Sequence, residues 1–148
     1  YLSELLTRFT RACPGVDVEV VEDEPRFLEH LLISGEVDAA IMVSSALVDR
    51  QALATEILSR SPNRVWLASS HPLAQRDDVS LAEVAACPLI VLAADRLDEL
   101  MRAVWQRYQL APRTLLRSSS LEAVRSLVGA GMGVTILPDF VYRPWSLE

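Results

Sequence analysis

Leu2, Leu5, Leu6 and Phe9 recur at helical spacing before Cys13, Pro14 and Gly15 stop the run, which predicts a helix over 1–12. Val16, Val18 and Val20 alternate with Asp17 and Glu19, the period of a strand with one buried face, so a strand is expected over 16–22. The acidic residues Glu22, Asp23 and Glu24 ahead of Pro25 suit a helix start. The stripe Phe27, Leu28, Leu31 and Leu32 follows, and Gly35 supplies the stop. Residues 38–43 read as a buried strand, 44–53 as a loop, 54–57 as an extended segment and 64–68 as a strand closed by Ser69, Ser70, His71 and Pro72.

Ser80 and Glu83 have the spacing of a capping box, predicting a short helix to about Ala86. The continuous apolar run 88–93 reads as a strand. Asp95 is then placed to cap a helix whose Leu97, Leu100, Met101, Val104, Trp105 and Tyr108 form one buried stripe. After Ala111 and Pro112, residues 113–117 read as a strand, and Ser119 with Glu122 frames a second capping box. That box opens a helix with Leu121, Val124 and Val128 inward, and Gly129, Gly131 and Gly133 lead into a strand over 134–137.

Strands alternating with helices imply an α/β fold with largely parallel sheets. A faint repeat runs through the order: helix 1–12, strand 16–22, helix 26–34 and strand 38–43 are mirrored by helix 97–108, strand 113–117, helix 120–129 and strand 134–137. The counterpart of strand 88–93 is missing from the first half, so the chain is expected to start one strand late. Two similar lobes facing one another, 1–86 and 87–148, are the plan of a bilobal binding protein.

The chain has 148 residues, 51% hydrophobic and 23% charged, with a net charge of −6. That balance suits an ordinary globular chain and argues against a surface built to neutralise phosphates. No apolar stretch approaches the roughly 20 residues of a membrane helix. Tyr1 to Ala12 carry no export signal, and Cys13 and Cys87 lack any metal-ligand spacing. A cytoplasmic location, with both cysteines reduced, is expected.

Few residues invite a chemical reading. The glycines at 129, 131 and 133 end a helix and enter a strand, the reverse of a dinucleotide-binding loop, and so read as cap and packing residues. Ser70 beside His71 lacks the setting of a nucleophile and base. His30 reads as a helix flank, and Glu22 to Glu24 as helix-start residues rather than metal ligands. Neither catalytic residues, a metal site nor a cofactor is expected. The serines stand out more: Ser44 follows one strand, Ser69 and Ser70 end another, and Ser118, Ser119 and Ser120 join a strand to a helix. Ligands collect outside the carboxyl ends of strands and at helix N-termini, although caps and turns account for single serines equally well.

Three stretches together resemble the effector-binding domain of LysR-type transcriptional regulators. They are 28–41 (Leu-x2-Leu-Leu-x2-Gly-Glu-Val-Asp-Ala-Ala-Ile), 70–74 (Ser-His-Pro-Leu-Ala) and 120–138, which ends Leu-Val-Gly-Ala-Gly-Met-Gly-Val-Thr-Ile-Leu-Pro. The resemblance implies two Rossmann-like lobes, as in type 2 periplasmic binding proteins, truncated at both ends. It also implies a small-molecule effector held between the lobes, against Ser44, Ser69, Ser70, Ser118, Ser119 and Ser120. The effector is expected to be an organic acid. No Arg or Lys stands out beside these serines, so charge compensation is expected mainly from the dipole of the Ser120 helix. A homodimer or tetramer is implied, with promoter DNA bound only through an N-terminal helix-turn-helix outside this chain. The alternative is an extracytoplasmic solute-binding protein of the same plan.

Overall fold

The computed structural model of the chain describes residues 2–49, 51–94 and 96–141. The apolar run after Pro88 becomes β2 (Leu89–Leu92), which is covered on both faces. β3 (Thr114–Ser118) lies parallel along one side of it, with Ile90 opposite Leu116 and Leu92 opposite Ser118. On the other side a parallel bridge between Leu89 and Val134 brings in β4 (Thr135–Pro138). β1 (Asn63–Trp66) completes the order β1-β4-β2-β3 and runs antiparallel to β4, from Asn63 opposite Pro138 to Trp66 opposite Thr135.

Side chains alternate across β2. Ile90 and Leu92 pack with Val124 and Val128 of α5 (Leu121–Gly129) and with Leu137. Leu89 packs with Trp105 of α4 (Leu97–Arg107), Val134 and Val84 of α3 (Leu81–Ala85). Helices therefore cover both sheet faces, and each fully buried Val, Leu or Ile contributes about 1.5–3 kcal/mol. The Ser80 capping box forms as expected: Glu83 N donates to Ser80 Oγ at 3.3 Å, and Ser80 N to Glu83 Oε2 at 2.8 Å. Two glycines are required by geometry. Gly131 adopts φ 75°, and a Cβ on Gly133 would stand 2.5 Å from the Pro88 carbonyl oxygen.

Two helix starts differ from expectation. Ser120, not Ser119, caps α5: its Oγ accepts from Ala123 N at 3.2 Å, so Glu122 falls one position short of closing a box. Asp95 lies outside the described residues, and the cap position of α4 is held by Arg96 in the left-handed conformation, φ 60°.

The first half is built differently. α1 (Leu2–Ala12) and α2 (Pro25–Ser34) form where expected, and Gly35 at φ 77° ends α2. The expected strands 16–22 and 38–43, however, make no ladder. The repeat explains why. In the second half β2 is the central strand that pairs with β3 and bridges toward β4, and the described residues of the first half include no strand in the equivalent role. Val16, Val18, Val20, Val21 and Ile41, with Leu2, Leu5 and Phe9 of α1, remain exposed. What order exists comes from Glu29, 5% exposed, whose carboxylate accepts from Val48 N at 3.1 Å and Asp49 N at 2.6 Å. It ties α2 to the segment after the 3-10 turn Ser44–Ala46.

β1 and α3, assigned above to the first lobe, pack with β4, β2 and α4, so the expected division at Ala86 falls inside a packed unit. The chain enters and leaves this unit side by side. Asp139 N donates to Pro62 O and Phe140 N to Ser61 Oγ, both at 2.9 Å, and Arg64 pairs with Asp139 at 3.1 Å.

Candidate functional site

β2, β3 and β4 point the same way, so their carboxyl ends share one edge of the sheet. Ala93 N donates to Ser118 O at 2.8 Å, which joins the segment leaving β2 to the serines leaving β3. Ser118 Oγ accepts from Ser120 N at 3.1 Å, and Ser120 Oγ from Ala123 N at 3.2 Å. Each hydroxyl thus spends acceptor capacity on the backbone and keeps its O–H free to donate. Ser119 is exposed and its hydroxyl makes no bond among the described residues. Together with the first amides of α5, the arrangement is a donor-rich arc that suits an acceptor ligand.

The first half reaches the same edge. Arg96, three residues beyond Ala93, donates from Nη1 to the carbonyl oxygen of Ala46 at 3.2 Å, bringing the turn Ser44–Ala46 against the end of β2. Ser44 therefore belongs with Ser118, Ser119 and Ser120. Ser69 and Ser70 do not. β1 runs against its neighbours, so its carboxyl end lies where β4 and β2 begin, with Ala68 near Gly131 and His71 Nε2 3.9 Å from Cys87 Sγ. The length of the strands, roughly 13 Å for four residues, separates the two serine groups. His71 serves the local chain, its Nδ1 accepting from Leu73 N at 3.2 Å.

Arg96 corrects the expectation that no cation stands nearby. A cation at the positive end of a helix dipole is unfavourable, and a non-glycine residue in the left-handed region costs roughly 1–2 kcal/mol more. The signal was legible as a basic residue just ahead of a strong amphipathic helix. Arg96 meets Glu99 through Nε at 2.8 Å and Nη2 at 2.6 Å. Arg117 of β3 and Arg102 of α4 both turn to Asp98 instead.

The Glu83 carboxyl is displaced from its usual titration range. The Ser80 amide, helped by the Ser80 hydroxyl and Arg76, holds Glu83 below it; this lies away from the serine edge. A small, partly open cavity of about 30 Å³ lies between α4 and β2, bordered mostly by apolar side chains such as Leu92, Met101, Trp105 and Ile136. Among the described residues no group of three or more His, Cys, Asp or Glu could hold a metal, and no helix is long and apolar enough to cross a membrane.

The family model described as the LysR substrate binding domain matches residues 1–148. A hydrogen peroxide-inducible genes activator of Dickeya chrysanthemi is 29% identical over 141 residues, covering 93% of this chain and 45% of the relative. The crystal structure of HinK, a LysR family transcriptional regulator from Pseudomonas aeruginosa, superposes with a TM-score of 0.78 at 28% identity, covering 99% of this chain and 49% of that one. The BenM effector binding domain, solved with its effector benzoate, shares the fold at 17% identity with a TM-score of 0.78, over 97% of this chain and 67% of its own. The chain thus spans about half the length of the curated relatives it matches. The fold is that of the type 2 periplasmic binding proteins, and the relatives are transcriptional regulators rather than enzymes or solute-binding proteins. The chain belongs to the effector-binding domains of the LysR-type transcriptional regulators.

Proposed function

We propose that this chain is the sensing part of a cytoplasmic regulator and holds a small carboxylate-bearing metabolite between the turn Ser44–Ala46 and the carboxyl ends of β2 and β3. The observation that carries this reading is the serine arc. Ser118 and Ser120 retain O–H donors beside the opening amides of α5, with an arginine reaching the same edge. Benzoate, the effector of the structurally similar BenM domain, is such an acid. The site binds and performs no chemistry, needing neither metal nor cofactor. Its two lobes divide before Asn63, a position supported by the pairing of β1 with β4. Of the six expected serines, Ser44, Ser118, Ser119 and Ser120 are retained.

Pairing with a second copy uses α1 and residues 16–22 of one chain against α4 and β3 of the other. β3 is an edge strand with Leu115 and Leu116 exposed, and Leu2, Leu5, Phe9, Val16, Val18 and Val20 are exposed on the opposing elements; such edges must be covered or paired. Promoter DNA is reached only through a segment outside this chain, because a net charge of −6 repels phosphates. Calorimetric titration with small organic acids tests the site. Losing one hydrogen bond to a charged ligand costs about 1.5–3 kcal/mol, so Ser119→Ala weakens binding roughly ten- to a hundredfold, while Ser69→Ala leaves it unchanged. Equal losses from both variants refute the placement. Light scattering tests pairing, and a folded chain that stays monomeric at micromolar concentration refutes it.

A further inference from the structure

We infer that Arg96 reads the acid: its guanidinium exchanges the Ala46 carbonyl for the ligand's carboxylate, so that one side chain sets both charge preference and the hold on the turn Ser44–Ala46. This rests on the carboxylate reading above and adds the residue that enforces it.

The guanidinium has five N–H donors. One is on Ala46 O, and Nε and Nη2 each give one to the same oxygen of Glu99. Two remain without an acceptor among the described residues. A guanidinium whose edge is partly open is suited to a planar, two-oxygen anion. Its present partners are easily exchanged. Glu99 is 48% exposed, so solvent screens that ion pair, and the Ala46 carbonyl is neutral. Two other cations of this unit are committed elsewhere: Arg117 and Arg102 share the carboxylate of Asp98, which is 13% exposed. An incoming acid at the serine arc therefore meets Arg96 as an exchangeable cation. The chain contains no lysine that could substitute.

The same contact makes binding conformational. Ala46 is fully buried, and its carbonyl is held across the gap by the group that the ligand engages. When the carboxylate takes the fork, the turn loses that bond and is held through the ligand instead.

The test uses the 148-residue chain with benzoate, shikimate, succinate and glutamate, each beside its primary amide. Calorimetry is combined with hydrogen exchange of the Ser44–Asp49 amides. The expected result is that wild type prefers at least one acid to its amide. Arg96→Gln should lower affinity for that acid by about ten- to a hundredfold, the usual loss of a charged hydrogen bond, and leave affinity for the amide unchanged. Without ligand, Arg96→Gln should also speed exchange across the turn. Arg96→Lys keeps the charge but not the fork, so it should fall between the two and guards against a Gln variant that fails to fold. Arg107→Gln, at the far end of α4, makes the same charge change and should bind as wild type. If Arg96→Gln and Arg96→Lys retain the acid preference within twofold, the inference is overturned while the carboxylate reading stands. If wild type binds the amides as well as the acids, or binds none of the acids, the carboxylate reading fails and Arg96 falls with it.

Discussion

Replacing Gly133 by Ala tests the joint on which the sheet depends. The added Cβ would lie 2.5 Å from Pro88 O and 3.3 Å from Ile90 Cγ1, and the first of these neighbours is backbone that cannot rotate away. β4 must therefore back off from β2. That weakens the two bonds of the bridge, Ile90 N to Val134 O and Val134 N to Pro88 O, both 2.9 Å. Each is worth roughly 0.5–1.5 kcal/mol, and overpacking adds about 1–3 kcal/mol. Alanine returns about 0.4–1 kcal/mol by restricting the unfolded chain. The net loss is about 3 kcal/mol, a large share of the roughly 5–15 kcal/mol that holds a domain together. At about 2–4 °C per kcal/mol for a chain near this size, melting should fall by roughly 10 °C. Gly129→Ala is the internal control. It lies in α5 with nothing within 4 Å of its added Cβ, so it should stabilise by about 0.5–1 kcal/mol. Thermal melts followed by far-UV circular dichroism distinguish the two. A Gly133→Ala melt within about 2 °C of wild type, or a Gly129→Ala variant equally damaged, would refute the reasoning.

Ser120→Ala removes the cap on Ala123 N and should cost about 1 kcal/mol, while Ser120→Gly costs a few tenths, as read from urea unfolding. Glu29→Ala removes the acceptor that the Val48 and Asp49 amides share, so a loss of about 0.5–1.5 kcal/mol and faster exchange at those two amides are expected. Because the folded state depresses the Glu83 carboxyl from its usual value of 4.5, its contribution is complete above that pH and disappears as pH falls through the folded value. The stability gap between wild type and Glu83→Gln should therefore be flat near neutrality and close progressively below pH 4.5. A gap unchanged in acid would dissociate Glu83 from the Ser80 cap.

The second half was legible because each apolar run carries its partner nearby in sequence. The run 88–93 reads as a central strand, and the α4 and α5 stripes supply the two layers that cover it. The alternation of Val16, Val18 and Val20 is equally clear, but a ladder is a relation between two segments, and alternation in one says nothing of whether the other is present. Direction was hidden for a similar reason. Residues 63–66 form a strand whichever way they run, yet the antiparallel sense moves Ser69 and Ser70 to the opposite end of the sheet. Among three consecutive serines the Ser119 to Glu122 spacing pointed to a cap one residue too early. Ser120 holds it because Ala123 N is the amide its hydroxyl reaches. Arg96 was hidden because a cation is disfavoured at the positive end of a helix dipole, so the sequence around α4 gives no ordinary reason to place one there.

The side-by-side crossing at Ser61 and Phe140 gives the sheet unit the geometry of a closed excursion. Two chain segments clamped together at their crossing can bend together about the line that joins them, but twisting one past the other breaks the Asp139 to Pro62 bond and the Arg64 to Asp139 pair. A rearrangement that keeps these contacts is therefore expected to proceed as a bend rather than a twist.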